Sequence, residues 1–165
     1  MGKRLFVIGA VLMLFAVVLA APASATKPLD VEIDLTTYFA EPPALASGTF
    51  EASGPAVEAG LMCSEGTKQD LFPEKWAGSS SIVQNGQVIT EFTCTDEPFA
   101  GDTFVIKAQM HIDISAGPPT WVVNWVVKGG TGAFTDLHGN GAGSGNLIFD
   151  PFPVGAADLY SGQLH

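Results

Sequence analysis

Three histidines are the side chains in this sequence best suited to proton transfer or metal binding near neutral pH. They are His111, His138 and His165, and they lie in separate segments with no His-x-x-x-His spacing. His111 lies between Gln109 and Asp113 on the polar side of an alternating stretch, so we expect it to be solvated. The spacing favours surface histidines over a zinc site, which would require folding to gather all three.

Acidic residues at alternate positions could supply oxygen ligands. Asp30, Glu32 and Asp34 share one side of an extended segment and could hold Ca²⁺, but the same alternation is typical of a solvated strand. The glycine-rich run 139–145 lacks a following helix and a terminal Lys, so it does not predict a phosphate-binding loop. Ser144 lies outside a Gly-x-Ser-x-Gly motif. We therefore predict no metal and no cofactor, and assign no catalytic residue.

The two cysteines, Cys63 and Cys94, are suited either to a redox or metal-binding pair or to a structural disulfide. No Cys-x-x-Cys motif and no nearby set of histidines supports the first reading. We predict the disulfide.

A set of large apolar side chains could either fill a core or border a cavity for an apolar molecule. Asn124 and Asp136 are candidate polar groups that would orient such a ligand. If the protein is an enzyme, Asp136 and Glu91 are the candidate acids for an ionisable group at the cavity wall. The candidate lining residues are Phe92, Phe104, Met110, Trp121, Trp125 and Phe134, with Phe50 beside them.

Extended segments must position these side chains. Alternation over 103–114 and 120–128 places Phe104, Met110, Trp121 and Trp125 on apolar faces, and predicts that the two segments pair. Asn85-Gly86 predicts a tight turn between strands at 80–84 and 87–95. We also expect an extended segment over 55–63, irregular structure over 64–79, and bulges, bends and close backbone approach in the glycine-rich stretch 129–145.

No long segment after residue 25 has a helical period, while extended segments and turn residues alternate. We predict an all-β fold, an antiparallel, closed β-barrel of about eight strands, with a two-sheet sandwich as the alternative. We predict that the chain has three parts: a signal peptide at 1–25, an extended N-terminal arm or edge strand at 26–46, and the barrel at 47–165.

The signal peptide is predicted from Lys3 and Arg4, the uncharged apolar run 5–21 and the small residues at 23–25. An uncleaved membrane anchor is the alternative, because the run reaches the lower limit for spanning a bilayer. Cleavage predicts a secreted protein, extracellular or periplasmic, without stable membrane association.

Charge limits the possible partners. The chain has 7 Lys and Arg against 17 Asp and Glu, and removing residues 1–25 takes away Lys3 and Arg4, the only Arg. Nucleic acid is thus excluded as a partner, and anionic membranes and phosphorylated substrates are disfavoured. Without Arg, a site that grips a fatty-acid carboxylate is disfavoured as well.

The stretch Gly129-Gly130-Thr131-Gly132-Ala133-Phe134, followed by Leu137-His138-Gly139-Asn140-Gly141 and by Tyr160-Ser161-Gly162, resembles the signature of the allene oxide cyclase and dirigent barrel-like superfamily. The resemblance covers the second half of the chain after residue 25, and extends to the first half only by strand pattern. It implies an eight-stranded antiparallel barrel with an apolar interior, which in the plant members shelters an oxylipin epoxide or a phenoxy radical pair.

These observations lead us to expect a secreted, disulfide-containing barrel that binds a small hydrophobic molecule and is not catalytic. The alternatives are a cyclase or isomerase that shapes an apolar substrate, and an extracellular interaction protein whose barrel is sealed by its own side chains.

Overall fold

Residues that point inward alternate with residues that point outward along the strands of this protein. The computed structural model describes residues 27–39, 46–71, 77–78, 83–115, 118–149 and 155–165. The predicted signal peptide at 1–25 lies outside the described residues. The elements are β1 (Leu29–Tyr38), β2 (Ser47–Ser53), α1 (Pro55–Glu58), β3 (Glu65–Leu71), β4 (Ala77–Gly78), β5 (Val83–Cys94), β6 (Thr103–Asp113), β7 (Thr120–Gly130), a 3-10 turn (Gly132–Phe134), β8 (Gly139–Ile148) and β9 (Gly155–Leu164).

Eight of these strands close into one antiparallel barrel, which confirms the predicted fold class. Neighbours round the barrel are β1, β9, β8, β7, β6, β5, β3 and β2, and β2 pairs with β1 to complete the circle. The short β4 pairs with β5 beyond the end of β3, so it lies in line with β3. Closure removes the exposed edges that an open sheet presents.

The first strand is a full member of the barrel and not an arm or an edge. Leu35 of β1 is opposite Phe50 of β2 on one side and Asp158 of β9 on the other. Val31, Ile33 and Leu35 point into the barrel and are buried, while the acids between them point outward. This alternation is the same in a strand with neighbours on both sides as in an edge strand. The boundary expected between 46 and 47 therefore falls between two paired strands.

Three local expectations were wrong. Asn85 and Gly86 lie within β5, opposite His111 and Met110, and form no turn, because pairing with β6 overrides the local turn preference. Residues 65–71, expected to be irregular, form β3, and α1 begins at Pro55 inside a segment expected to be extended. In both cases the strand-forming or helix-forming signal is too short to stand out along the sequence.

Aromatic rings fill the end of the barrel where β5 ends and β6 begins, called here the closed end. Phe92 and Phe104 stack with ring centroids 4.7 Å apart, and Phe50 meets both rings edge-on. Phe134 packs edge-on against Phe104 at 5.6 Å. Rings of this size bury enough apolar surface to anchor a small domain.

The glycine-rich strand β8 makes room for large rings inside the barrel. A Cβ on Gly141 would overlap the Trp125 indole, and one on Gly145 would overlap the Trp121 indole. Ala142 and Ser144, which lie between these glycines, point to solvent. The expected close backbone approach is therefore present. β8 itself pairs in continuous register with both neighbours, and the irregularity expected within 129–145 lies before it.

A break in register lies next to this strand, at the end of β7, where Phe104 pairs with Gly130 and Ile106 with Val127. Gly129 has a φ of 102°, a backbone conformation that favours glycine. The 3-10 turn that follows brings Phe134 into the closed end. In the described part of the chain, no helix has the length and apolar character needed to cross a membrane.

Candidate functional site

A cavity of about 300 Å³ lies inside the end of the barrel opposite the closed end, called here the open end. Its strand residues come from the ends of β1, β6 and β8, from β3 and the middle of β5, and from the first parts of β7 and β9. The wall is largely apolar, and Phe39 and Ile114, each more than a third exposed, lie at its rim. The apolar wall residues are Val88, Met110, Ile112, Trp121, Leu147 and Ala156.

An ion pair lies inside this cavity. The Nζ atom of Lys68 is 2.9 Å from both carboxylate oxygens of Asp70, and the hydroxyl of Thr90 donates a hydrogen bond of 2.7 Å to Asp70 Oδ1. All three residues are buried. Such charges are rarely buried unless they are paired, because desolvation of either one alone is costly.

The ion pair follows from the alternation of β3. Gly66, Lys68 and Asp70 point inward, while Thr67 and Gln69 point to solvent. Phe50 occupies the space over Gly66, so the charged pair begins where the aromatic packing ends. Thr90 reaches the pair because Asp70 and Thr90 are direct partners in the pairing of β3 with β5.

A second carboxylate, Asp158 of β9, lines the same cavity. The indole Nε1 of Trp121 donates a hydrogen bond to Asp158 Oδ1. Burial raises the pKa of Asp158 to about 6, and the charge of Asp70 adds to the rise, against the opposing effects of the Trp121 hydrogen bond and the Lys68 charge. The carboxyl group thus exchanges protons near neutral pH.

Tyr160, two residues further along β9, is also buried at the cavity wall. Burial raises the pKa of its phenol, and the carboxylates of Asp158 and Asp70 raise it further. Tyr160 is therefore a neutral hydroxyl group that can donate or accept a hydrogen bond. Its ring stacks on Trp125 at 6.3 Å, which fixes its position.

Asp158 can also be reached from outside the barrel. A shallow groove of about 650 Å³ lies beside β8, and Trp121, Gly145 and Asp158 are among its lining residues. The exposed side chains of Asp34 and Val122 are among those that line it. Its open shape encloses a ligand less than the interior cavity does.

The predicted lining residues divide into two groups. Trp121 and Met110 line the cavity, whereas the others among the apolar candidates pack in the closed end and the middle of the barrel. The candidates that pack without bordering the cavity are Phe92, Phe104, Trp125 and Phe134, with Phe50.

The polar groups expected to orient a ligand lie elsewhere. Asn124 points to solvent because its neighbours Val123 and Trp125 point inward, and strand residues alternate. Asp136 is exposed after the 3-10 turn, and Glu91 is exposed on β5. Asn124 and Asp136, the two polar candidates for orienting a ligand, therefore do not line this cavity.

The sequence analysis did not identify the polar residues that do line the cavity: Thr37, Lys68, Asp70, Thr90, Asp158 and Tyr160. A signal existed, since Lys68 and Asp70 lie two residues apart and share the inward face of Gly66 once 65–71 is read as a strand. Asp158 and Tyr160 likewise share the inward face of Leu164. Charged residues are normally assigned to the outside of a strand, and for this reason Lys68, Asp70 and Asp158 were not predicted to line a cavity.

The predicted disulfide between Cys63 and Cys94 is present, and both residues are buried. It indicates an oxidising, non-cytosolic compartment. Among the described residues, Cys63, Cys94 and Asp96 form the one cluster with metal-ligand spacing, but the bonded sulfurs are not free to bind a metal. The three histidines are exposed, and Asp30, Glu32 and Asp34 all point outward from β1.

Changing Asp158 to Asn should alter the pH dependence of stability. Because the native pKa of about 6 is raised above the ordinary value, the folded state binds the proton more tightly. The free energy of unfolding should therefore fall as pH rises from about 4 to about 6, by at most about 3 kcal/mol. Asp158→Asn should remove this fall and unfold at higher urea concentration than wild type at neutral pH.

Urea unfolding of both proteins at a series of pH values measures the effect, and the difference between the two curves removes the contribution of other carboxyl groups. A difference that does not change with pH would contradict the proton assignment.

Comparison with models of protein families, with curated proteins and with solved structures finds no match for this chain.

Proposed function

We propose that this protein is a secreted, disulfide-containing β-barrel module that binds a small hydrophobic molecule in the cavity at its open end. The observation that carries this proposal is the division of the interior: packed rings fill the closed end, and a cavity of about 300 Å³ remains at the other. That volume is at the lower end of the range of small-molecule sites, which are typically apolar with a few fixed polar groups.

Export is part of the proposal. The buried disulfide supports an oxidising compartment, and the apolar run 5–21 with its basic start supports passage through a secretion pathway.

We further propose a distant relationship to the allene oxide cyclase and dirigent barrel-like proteins. The support is the Gly129–Phe134 stretch, which ends β7 and carries Phe134 into the closed end, together with the eight-stranded closed architecture. A shared fold alone carries no activity.

A second candidate function is an isomerase or cyclase. The observation that favours it is a protonatable carboxyl group, Asp158, beside the neutral phenol of Tyr160 in a largely apolar cavity. Such a group can give its proton to a ligand oxygen and then, as a carboxylate, take a different proton from a neighbouring carbon. An enzyme of this kind would convert a bound molecule to an isomer of equal mass, and the conversion would be lost in Asp158→Asn.

The binding proposal can be tested with a neutral fluorescent probe, N-phenylnaphthylamine, and two matched variants. Val88→Phe places a ring in the cavity, while Val122→Phe adds the same ring to the exposed outer face. We expect the probe to bind wild type and Val122→Phe alike, and Val88→Phe about tenfold or more weakly, because the added ring occupies the ligand's space.

Absence of probe binding to wild type, or equal binding by both variants, would contradict a ligand site inside the barrel. Native mass spectrometry of protein recovered from its secreting host provides a second measurement, in which a bound apolar molecule is expected.

A further inference from the structure

We infer that the cavity at the open end selects a cationic amphiphile, an amine on a small apolar body, over a neutral alcohol or a carboxylate of the same size. This inference rests on the binding function proposed above and assigns the chemical class of the ligand.

The first step is the charge balance of the described cavity residues. Lys68 and Asp70 neutralise each other through two contacts of 2.9 Å. Asp158 adds a second carboxyl group, whose hydrogen-bond donor among the described residues is the uncharged indole of Trp121. The cavity lining described here thus carries one more acid than base.

An ammonium group on a ligand would balance this excess. It could donate charge-assisted hydrogen bonds to the Asp158 carboxylate, which are about twice as strong as those between neutral groups. Burial is the main cause of the raised pKa of Asp158, so its carboxylate has lost much of the water that would otherwise solvate it, and an ammonium group would replace that solvation. A ligand carboxylate would instead be brought close to Asp70 and Asp158, and like charges in a poorly solvated site repel strongly.

The aromatic walls also suit a cation. Trp121 and Tyr160 present ring surfaces at the cavity, and an ammonium group over such a ring is attracted by its electron density. At longer range the whole chain carries a formal charge of −10, so its field draws cations toward the barrel and repels anions.

Displacement of bound N-phenylnaphthylamine by n-octylamine, n-octanol and octanoate at neutral pH tests the inference, because the three share one alkyl chain. We expect n-octylamine to displace the probe at concentrations about tenfold lower than n-octanol, with octanoate the weakest. Asp158→Asn should make the amine and the alcohol nearly equal. Asp34→Asn, which removes an exposed acid from the outer surface, should leave the order unchanged.

A preference for n-octanol or octanoate in wild type would overturn the inference, as would an amine preference that survives in Asp158→Asn. Because the order in wild type needs no variant, the test holds even if Asp158→Asn folds poorly. If the probe binds and none of the three compounds displaces it, the inference fails while the binding function stands. If the probe itself does not bind, both fail.

Discussion

Replacing Lys68 by Met should lower the free energy of unfolding by about 3–5 kcal/mol, since it leaves the buried carboxylate of Asp70 without its counter-charge. Met keeps most of the length and apolar surface of the lysine stem, so loss of packing contributes little. Thr90 would remain as a hydrogen-bond donor to Asp70, but a neutral hydroxyl does not compensate a buried charge. Urea unfolding at neutral pH measures the loss.

A triple variant separates the ion pair from its surroundings. Lys68→Met, Asp70→Val and Thr90→Val together remove the charges and the hydroxyl that would otherwise be left without a partner. Apolar replacement of a whole buried network is often neutral or stabilising, so we expect the triple variant to regain most of the lost stability. If it is as unstable as the single variant, the loss arises from packing and not from an uncompensated charge.

Keeping a charged network inside a barrel is explained more readily by ligand binding than by stability. The Lys68–Asp70 pair lies at the boundary between the packed aromatic end and the cavity, where water or a ligand can meet it. If the triple variant regains the stability lost in Lys68→Met, the charged pair is not needed for folding and serves ligand recognition. Its removal should then change the affinity for the probe while the fold stays intact.

Side-chain alternation is the part of this structure that the sequence predicts well. A period of two places Trp121, Val123, Trp125 and Val127 on one buried face, and all four are buried. The closed barrel follows because many such strands with short connections can hide their apolar faces by closing on themselves.

Strand neighbours and buried charges are harder to predict. Alternation in β1 is the same whether the strand lies at an edge or between β2 and β9, so the arm assigned to 26–46 could not be recognised as a barrel strand. Asn85-Gly86 has the composition of a tight turn, yet the long pairing with β6 holds it extended. Lys68 and Asp70 share one face of β3, and alternation can show this, but it does not show that this face is the inner one. Their burial beside Asp158 of β9 depends on distant strands, which no local pattern reports.

Loss of the disulfide should lower the free energy of unfolding about as much as removing Lys68 from the buried ion pair, through a different physical effect. Cys63 and Cys94 are separated by 31 residues, and closing a loop of that length in the unfolded chain reduces its entropy by the equivalent of about 4 kcal/mol. The bond lies at the closed end, where it joins the segment after α1 to the last residue of β5. It therefore holds together the part of the barrel that contains β3 and β5.

Changing both cysteines to Ala should accordingly lower the free energy of unfolding by about 4 kcal/mol, as measured by urea unfolding. Neighbouring contacts keep the native geometry without the bond, since the Ser64 amide and hydroxyl donate hydrogen bonds of 2.9 and 2.8 Å to Asp96 Oδ2. The double variant should thus still fold, and it should bind N-phenylnaphthylamine as wild type does, because the closed end is remote from the cavity. Wild type unfolded in the presence of a reductant is the matched control and should show the same loss. A loss below about 1 kcal/mol in both would mean that the unfolded chain is already compact between residues 63 and 94, so that the bond restricts it little.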